Sequence, residues 1–231
     1  TEITSLDELP PARATLLDTS ARALSRIARR QLPDRYRRRL ERFSYGNAVA
    51  KVDFALSDPV PWQAAGLRAA GTVHVGADLD EDGRPIGAVE GLVRWNADLR
   101  SRRVPRAPFG LVGQMTTTDP SRSPAGTESM WAYTHVPSGL TGREVADQVA
   151  ANMEDVPGFR DLVLDRVVQR PRDLQDDDAN LVGGAVNGGT AQLHQQLVFR
   201  PTPGPGGART VVDRLYLASA ATHPGGGVHG G

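Results

Sequence analysis

The chain has 231 residues, 39% hydrophobic and 23% charged, enough for one large domain or two modest ones with a sizeable core. Its 27 basic and 27 acidic side chains cancel, which argues against a general polyanion or nucleic-acid binder, and the absence of cysteine excludes disulfides, zinc thiolates, iron–sulfur clusters and a catalytic thiol. No apolar run approaches the ~18 residues of a spanning helix and no signal-peptide pattern opens the chain, so the expectation is a soluble, cytoplasmic segment.

Lys51 is the only lysine, leaving 26 arginines of the 27 basic residues, which with 25 Gly and 17 Pro suggests GC-rich coding. The chain opens on Thr1 and stops at Gly230-Gly231 inside a glycine cluster, and is expected to be a fragment.

In chain order, Ala14-Thr15-Leu16-Leu17 reads as a short strand and Asp18-Thr19-Ser20 offers helix N-caps. Leu24, Ile27 and Gln31 fall at helical spacing. Pro33 closes that helix and opens another, where Tyr36, Leu40 and Phe43 repeat at i, i+4 and i+7. The other faces carry Arg22, Arg26, Arg29, Arg30, Arg35, Arg37, Arg38, Arg39 and Arg42 against only Asp34 and Glu41. Such a run reads as an anionic-partner surface (a membrane, a nucleotide phosphate or nucleic acid) or as a solvated face; the neutral chain favours the solvated face, with peripheral membrane contact left open.

From residue 47 the period becomes two: Ala48, Ala50, Val52, Phe54 and Leu56 alternate with Lys51 and Asp53 as a half-buried strand. Thr72–Val75 reads as a strand and Asp78–Gly83 as an acidic loop. Residues 110–117 and 127–136 form a strand pair around the turn-rich Asp119–Gly126. Trp131, Tyr133 and His135 share one strand face, which suits either a substrate cavity or ordinary sheet packing. Thr141-Gly142-Arg143-Glu144 fits a capping box for a helix over 142–156, with Val145, Val149, Met153 and Val156 as its apolar stripe and Pro157-Gly158 as its stop. Residues 162–168 are a strand, Asp176–Asp178 and the glycines at 183, 184, 188 and 189 an irregular region, and 192–199 and 214–220 the last strands.

Chemistry-bearing patterns are sparse. Residues 225–230 match GxGxxG after a strand, and such glycines let backbone approach a pyrophosphate or a flavin ring without a Cβ collision. A dinucleotide fingerprint also needs a βαβ unit with an acidic residue further on, so a structural glycine turn is an equal reading. His223 and His229 lack a third ligand, Asp176–Asp178 lack the alternation of a calcium loop, and no metal site is expected. There is no GxSxG elbow or HExxH helix, and His74, His135 and His194 have no visible triad partners.

The ending LYLASAATHPGGGVHG resembles the C-terminal flavin-binding segment of phytoene desaturase-like FAD-dependent oxidoreductases. KVDFALSDPVPW (Lys51–Trp62), DPSRSPAG followed by WAYTHVPSG (Asp119–Gly139), PGFRDLVL (Pro157–Leu164) and NLVGGAVNGG followed by QLVFRPTP (Asn180–Pro203) are similar to that family in order and spacing. The resemblance implies a mixed α/β (α+β) fragment. Residues 1–43 would leave an FAD-binding, Rossmann-like domain, 44–179 would form a mixed-sheet substrate domain, and 180–231 would return to the FAD domain. It implies FAD as cofactor, an apolar small-molecule substrate, and hydride transfer from (or desaturation or isomerisation of) that substrate. The cofactor-binding residues it implies are Ser219, Ala220, Pro224, Gly225, Gly226, Gly227, Val228 and His229. It assigns no catalytic acid or base, since flavin carries the redox chemistry. Where relatives have Gly-Asp after the last strand, this chain has Ser219-Ala220. The alternative is a non-catalytic, arginine-rich interaction or membrane-surface module of flavoprotein ancestry.

Overall fold

The computed structural model describes residues 2–76, 78, 80, 82–106, 108–139, 153–154, 156–204 and 207–226. The chain divides into two compact units, one made of Thr1–Gly46 and Gln175–Gly231 and the other of Asn47–Leu174.

In the first unit, β1 (Thr15–Leu17) pairs in parallel with β7 (Leu215–Leu217), Leu16 opposite Tyr216. Alternation leaves Leu16 66% exposed while Leu215 and Leu217 are buried. Helix α1 (Ala21–Ile27) starts where Ser20 Oγ accepts the Ala23 N–H at 3.2 Å, the capping expected of that segment. Its buried stripe is Ala21, Leu24 and Ala28, continued by Leu32; Gln31 points to solvent. Helix α2 (Asp34–Glu41) follows Pro33, with Asp34 in its first turn and Arg38 and Arg39 in its last, the charge order a helix dipole favours. Leu24, Leu40, Phe43, Leu215 and Leu217 form the core of this unit.

The strand expected over 192–199 is absent. Two 3-10 turns stand there, Leu193–Gln195 and Leu197–Phe199, and Leu193, Leu197, Val198 and Phe199 are exposed. The reason is local: buried Gln195 accepts the Ser44 N–H at 2.8 Å and donates to the Ser44 carbonyl at 2.7 Å. One side-chain amide thus takes the donor and acceptor that a neighbouring strand would have satisfied. The last strand is also shorter than the expected 214–220, because the chain turns at Ala218–Thr222.

The second unit is a five-stranded antiparallel sheet in the order β3-β4-β5-β2-β6, from β2 (Ala48–Leu56), β3 (Thr72–Val75), β4 (Gly110–Gln114), β5 (Glu128–Val136) and β6 (Val163–Gln169). The strand read from residue 47 and the pair read over 110–117 and 127–136 lie in this one sheet, β2 and β4 both pairing with β5. Val52, Phe54 and Leu56 face a core with Val112, Met130 and Phe159, while Lys51 and Asp53 pair at 2.6 Å on the opposite face. The strand expected over 110–117 stops at Gln114, whose side chain donates to the carbonyls of Leu67 (2.9 Å) and Ala70 (2.6 Å) and accepts the Trp62 indole N–H (2.9 Å). Met115–Thr118 then forms one helical turn, its Thr116 N–H bonded to buried Glu128 at 3.1 Å.

Three further helices were not expected. Ala65–Arg68 is a single turn, Ala88–Arg100 packs Trp95 edge-on against Phe109 (5.4 Å) and His135 (5.7 Å), and Pro171–Asp177 draws Asp176 and Asp177 out of the region read as irregular. Pro171 opens that last helix, where a missing N–H is harmless. The expected 142–156 helix falls mostly outside the described residues, Val145 and Val149 included; Met153 is buried in the sheet core and Val156 packs against it. The whole is a mixed α/β fold in which the parallel β1–β7 pair is the Rossmann-like element.

Candidate functional site

Because β1 and β7 run parallel, their carboxyl ends emerge side by side, and crevices at such ends are where open α/β sheets place ligands. The turns that follow are tied together. Ser219 Oγ donates to the Thr19 carbonyl at 2.7 Å and accepts the Ala221 N–H at 3.2 Å, and the Ala218 N–H reaches the Leu17 carbonyl at 2.9 Å. Asn180 joins from a third segment: its Oδ1 accepts the Ser20 N–H at 2.9 Å and its Nδ2 donates to the Asp18 carbonyl at 3.4 Å. These segments border a cavity of about 170 Å³, to which Asp18, Thr19, Asp178, Gly188, Ser219 and Ala220 contribute. Gly188 has φ +61°, a backbone conformation that favours glycine.

One polar group at this cavity is unanswered. Thr19 Oγ1 is buried without a hydrogen-bond partner. The cavity lining contains two carboxylate residues, Asp18 and Asp178, and neither arginine nor lysine. That donor set suits a hydroxylated, uncharged group and is wrong for a diphosphate. The volume is also below the ~300–1,000 Å³ of whole small-molecule pockets. These residues therefore fit the polyol part of a flavin nucleotide and do not supply its pyrophosphate site.

Of the cofactor-binding residues implied by the sequence, Ser219 and Ala220 line this cavity. Gly225 and Gly226 sit against the chain's own groups: a Cβ at Gly225 (φ +112°) would lie 3.4 Å from the Arg200 guanidinium, and one at Gly226 would lie 3.2 Å from Asn187. Pro224 precedes them. Gly227, Val228 and His229 lie outside the described residues. His223 Nδ1 accepts the Leu197 N–H at 3.3 Å, and among the described residues no cluster of three or more metal-ligating side chains occurs.

Sequence reading missed Thr19 and Asn180 as site residues, and it gave Arg200 no role of its own. Arg200 is 2% exposed and lies beneath the 219–222 turn. It donates to the carbonyls of Ala220 (2.5 Å from Nη2), Thr222 (3.0 Å) and Thr190 (3.0 Å), with its guanidinium 5.5 Å from the Phe43 ring centroid. Burial lowers its pKa. The FRP run around Arg200 was legible as a motif, but nothing in it shows which carbonyls the arginine reaches.

The second unit has hollows of its own among the described residues. One, of about 300 Å³, is lined chiefly by apolar side chains including Trp62, Val75, Val112 and Met153. On the other sheet face an aromatic file runs from Trp131, stacked on Tyr133 at 5.6 Å, to His135 and Trp95. The indole N–H of Trp95 and the His135 Nδ1 are buried without hydrogen bonds, and burial holds the His135 imidazole below its usual pKa.

Comparison with known proteins adds relationship to this geometry. No protein-family model matches the chain. Over 126 residues it is 32% identical to the rat (Rattus norvegicus) pyridine nucleotide-disulfide oxidoreductase domain-containing protein 2 and 34% identical to the mouse (Mus musculus) protein. Each alignment covers 50% of this chain and 22% of the relative, so the match spans less than a quarter of the relatives' length. The crystal structure of an oxidoreductase from Methanosarcina mazei superposes with a TM-score of 0.55 at 14% identity, over 94% of this chain and 40% of that one. The chain is accordingly similar over half of its length to these pyridine nucleotide-disulfide oxidoreductase domain-containing proteins, and it shares the fold of the Methanosarcina protein. Nothing in these matches singles out the phytoene-desaturase-like branch.

Proposed function

We propose that the chain is part of an FAD-dependent oxidoreductase, in which the first unit contributes to the cofactor site and the second unit to the substrate side. The observation that carries this reading is the buried, unpartnered Thr19 hydroxyl in a crevice at the carboxyl ends of two parallel strands. Native structures seldom leave such a group unsatisfied without a ligand or water to answer it. Thr19 would donate to a hydroxylated portion of the cofactor, while Ser219 and Asn180 hold the two turns in register. Arg200 fixes the second turn from below. The names of the rat and mouse relatives and the fold of the Methanosarcina protein support the same class.

A bound flavin would supply two-electron chemistry, accepting hydride from a substrate C–H as a double bond forms or rearranges. The second unit would bind an apolar substrate, whose exclusion of water the Trp62–Met153 hollow suits. A cytoplasmic setting, with peripheral membrane contact as an alternative, belongs to the same proposal. No helix of the described residues is long and apolar enough to cross a membrane.

The test uses the full-length parent protein. Thr19→Val keeps shape and removes the hydroxyl, so it should lower the flavin-to-protein absorbance ratio while leaving thermal stability equal or slightly raised, since a buried unsatisfied group has gone. Flavin content equal to wild type in a folded Thr19→Val protein would remove this crevice from the cofactor site.

A further inference from the structure

We propose that the first unit carries a second, separate site, a basic pocket that binds a phosphate-bearing ligand between α2 and residues 201–204 and 207–211. The cavity there has a volume of about 490 Å³ and is bordered by Tyr36, Arg39, Thr202, Arg209 and Thr210. Among the described residues no acidic side chain lines it, whereas the crevice at Asp18 and Asp178 is lined by those two and by no arginine or lysine. The two hollows of one unit are thus opposite in charge and suit different ligands.

Charge accounting on α2 sharpens the point. Its two acids, Asp34 and Glu41, both approach Arg37, at 2.8 and 3.8 Å. Among the described residues no carboxylate lies within ion-pair distance of Arg35, Arg38, Arg39 or Arg42, and the same holds for Arg209. Arg39 makes one long contact, from Nη1 to the Pro203 carbonyl at 3.4 Å. Asp213, the acid closest in sequence to Arg209, is taken by Arg214 at 3.3 Å. A guanidinium fork and a tetrahedral phosphate are matched in geometry, and arginines arriving from two different elements can each take separate oxygens. The Thr202 side chain hydrogen-bonds the Tyr36 oxygen, which leaves the Tyr36 phenol O–H as a neutral donor at the same cavity. The volume falls within the range of pockets for small organic ligands, so a phosphorylated metabolite fits as well as inorganic phosphate. A phospholipid headgroup offers the same chemistry.

Isothermal titration of the full chain with inorganic phosphate, against chloride at matched ionic strength, reads the site directly. A parallel arm measures co-sedimentation with phosphatidylcholine vesicles containing or lacking phosphatidic acid. The expected result is saturable phosphate binding that weakens about tenfold in Arg39→Gln and in Arg209→Gln, as the loss of one charge-assisted contact requires, and not in Arg29→Gln on α1. Circular dichroism confirms that each variant is folded, and Arg39→Lys should retain part of the affinity. Phosphate binding without added vesicle binding assigns a soluble ligand. Vesicle binding that depends on phosphatidic acid and disappears in the same two variants assigns a headgroup. Binding that is absent, or equally weakened in all three glutamine variants, or vesicle binding that survives Arg39→Gln and Arg209→Gln, overturns the pocket and leaves only a solvated arginine face.

Discussion

Arg200→Met should cost the first unit about 3 kcal/mol. The substitution keeps an unbranched apolar stem and removes every donor. Arg200 serves three carbonyls, those of Thr190, Ala220 and Thr222, and all its contacts lie within 3.2 Å. Hydrogen bonds to charged groups are worth about 1.5–3 kcal/mol each, which places the gross loss near 4.5–9 kcal/mol. Burying a guanidinium costs several kcal/mol, and its release offsets part of that loss, leaving roughly 2–4 kcal/mol net. Amide hydrogen exchange is the suitable assay because it resolves the loss by segment. Peptides spanning 215–224 should exchange about a hundredfold faster in the variant, the equivalent of about 3 kcal/mol. Those spanning 128–136 in the other unit serve as the reference. The tryptophan-detected urea transition gives a second reference, since Trp62, Trp95 and Trp131 all lie in the second unit. A change below about 1 kcal/mol at 215–224 would mean that the carbonyls find water readily and that Arg200 is no staple.

Two other outcomes follow from the second unit. Gly113→Ala should destabilise it by about 1–3 kcal/mol, because an added Cβ would overlap the Trp131 indole; a shifted tryptophan emission with a lower urea midpoint is the signature, and an unchanged midpoint would refute the packing argument. The His135 imidazole is held below its ordinary value of 6.5 by burial, so as pH falls through that region the unfolded chain takes up a proton before the folded one does. Stability should therefore decline as pH drops below 6.5, and His135→Phe should flatten the decline measured as urea midpoints on either side of it. An identical slope in both proteins would show that His135 is not the group responsible.

Much of the second unit could be read directly from the chain. Alternation over Ala48–Leu56 and Glu128–Val136 allows only one face to be buried, which dictates strand, orientation and core at once. The Ser20 cap and the Pro33 break were equally local, since capping depends on neighbours within one turn. The helix at Ala88–Arg100 escaped notice because few of its positions are buried, with Gly91 and Leu99 among them and Val89 and Val93 exposed, so its pattern lacks a clean apolar stripe.

The crevice was legible only in part. Ser219 and Ala220 were marked by their motif, yet their neighbours Thr19 and Asn180 were invisible as partners, since Ser219 and Thr19 are 200 residues apart. Periodicity, capping and charge balance are properties of adjacent residues, and the sequence alone determined the features built from them: the antiparallel strands, the helix starts, the arginine excess on α2 and the exclusion of thiol chemistry. Whether 192–199 became a strand or two turns, which carbonyls Arg200 would hold, and where two oppositely charged hollows would open were decided by the tertiary structure. Each depends on groups that lie apart in the chain, as Gln195 does from Ser44 and Arg200 from Ala220, and such a partner leaves no local mark on either side.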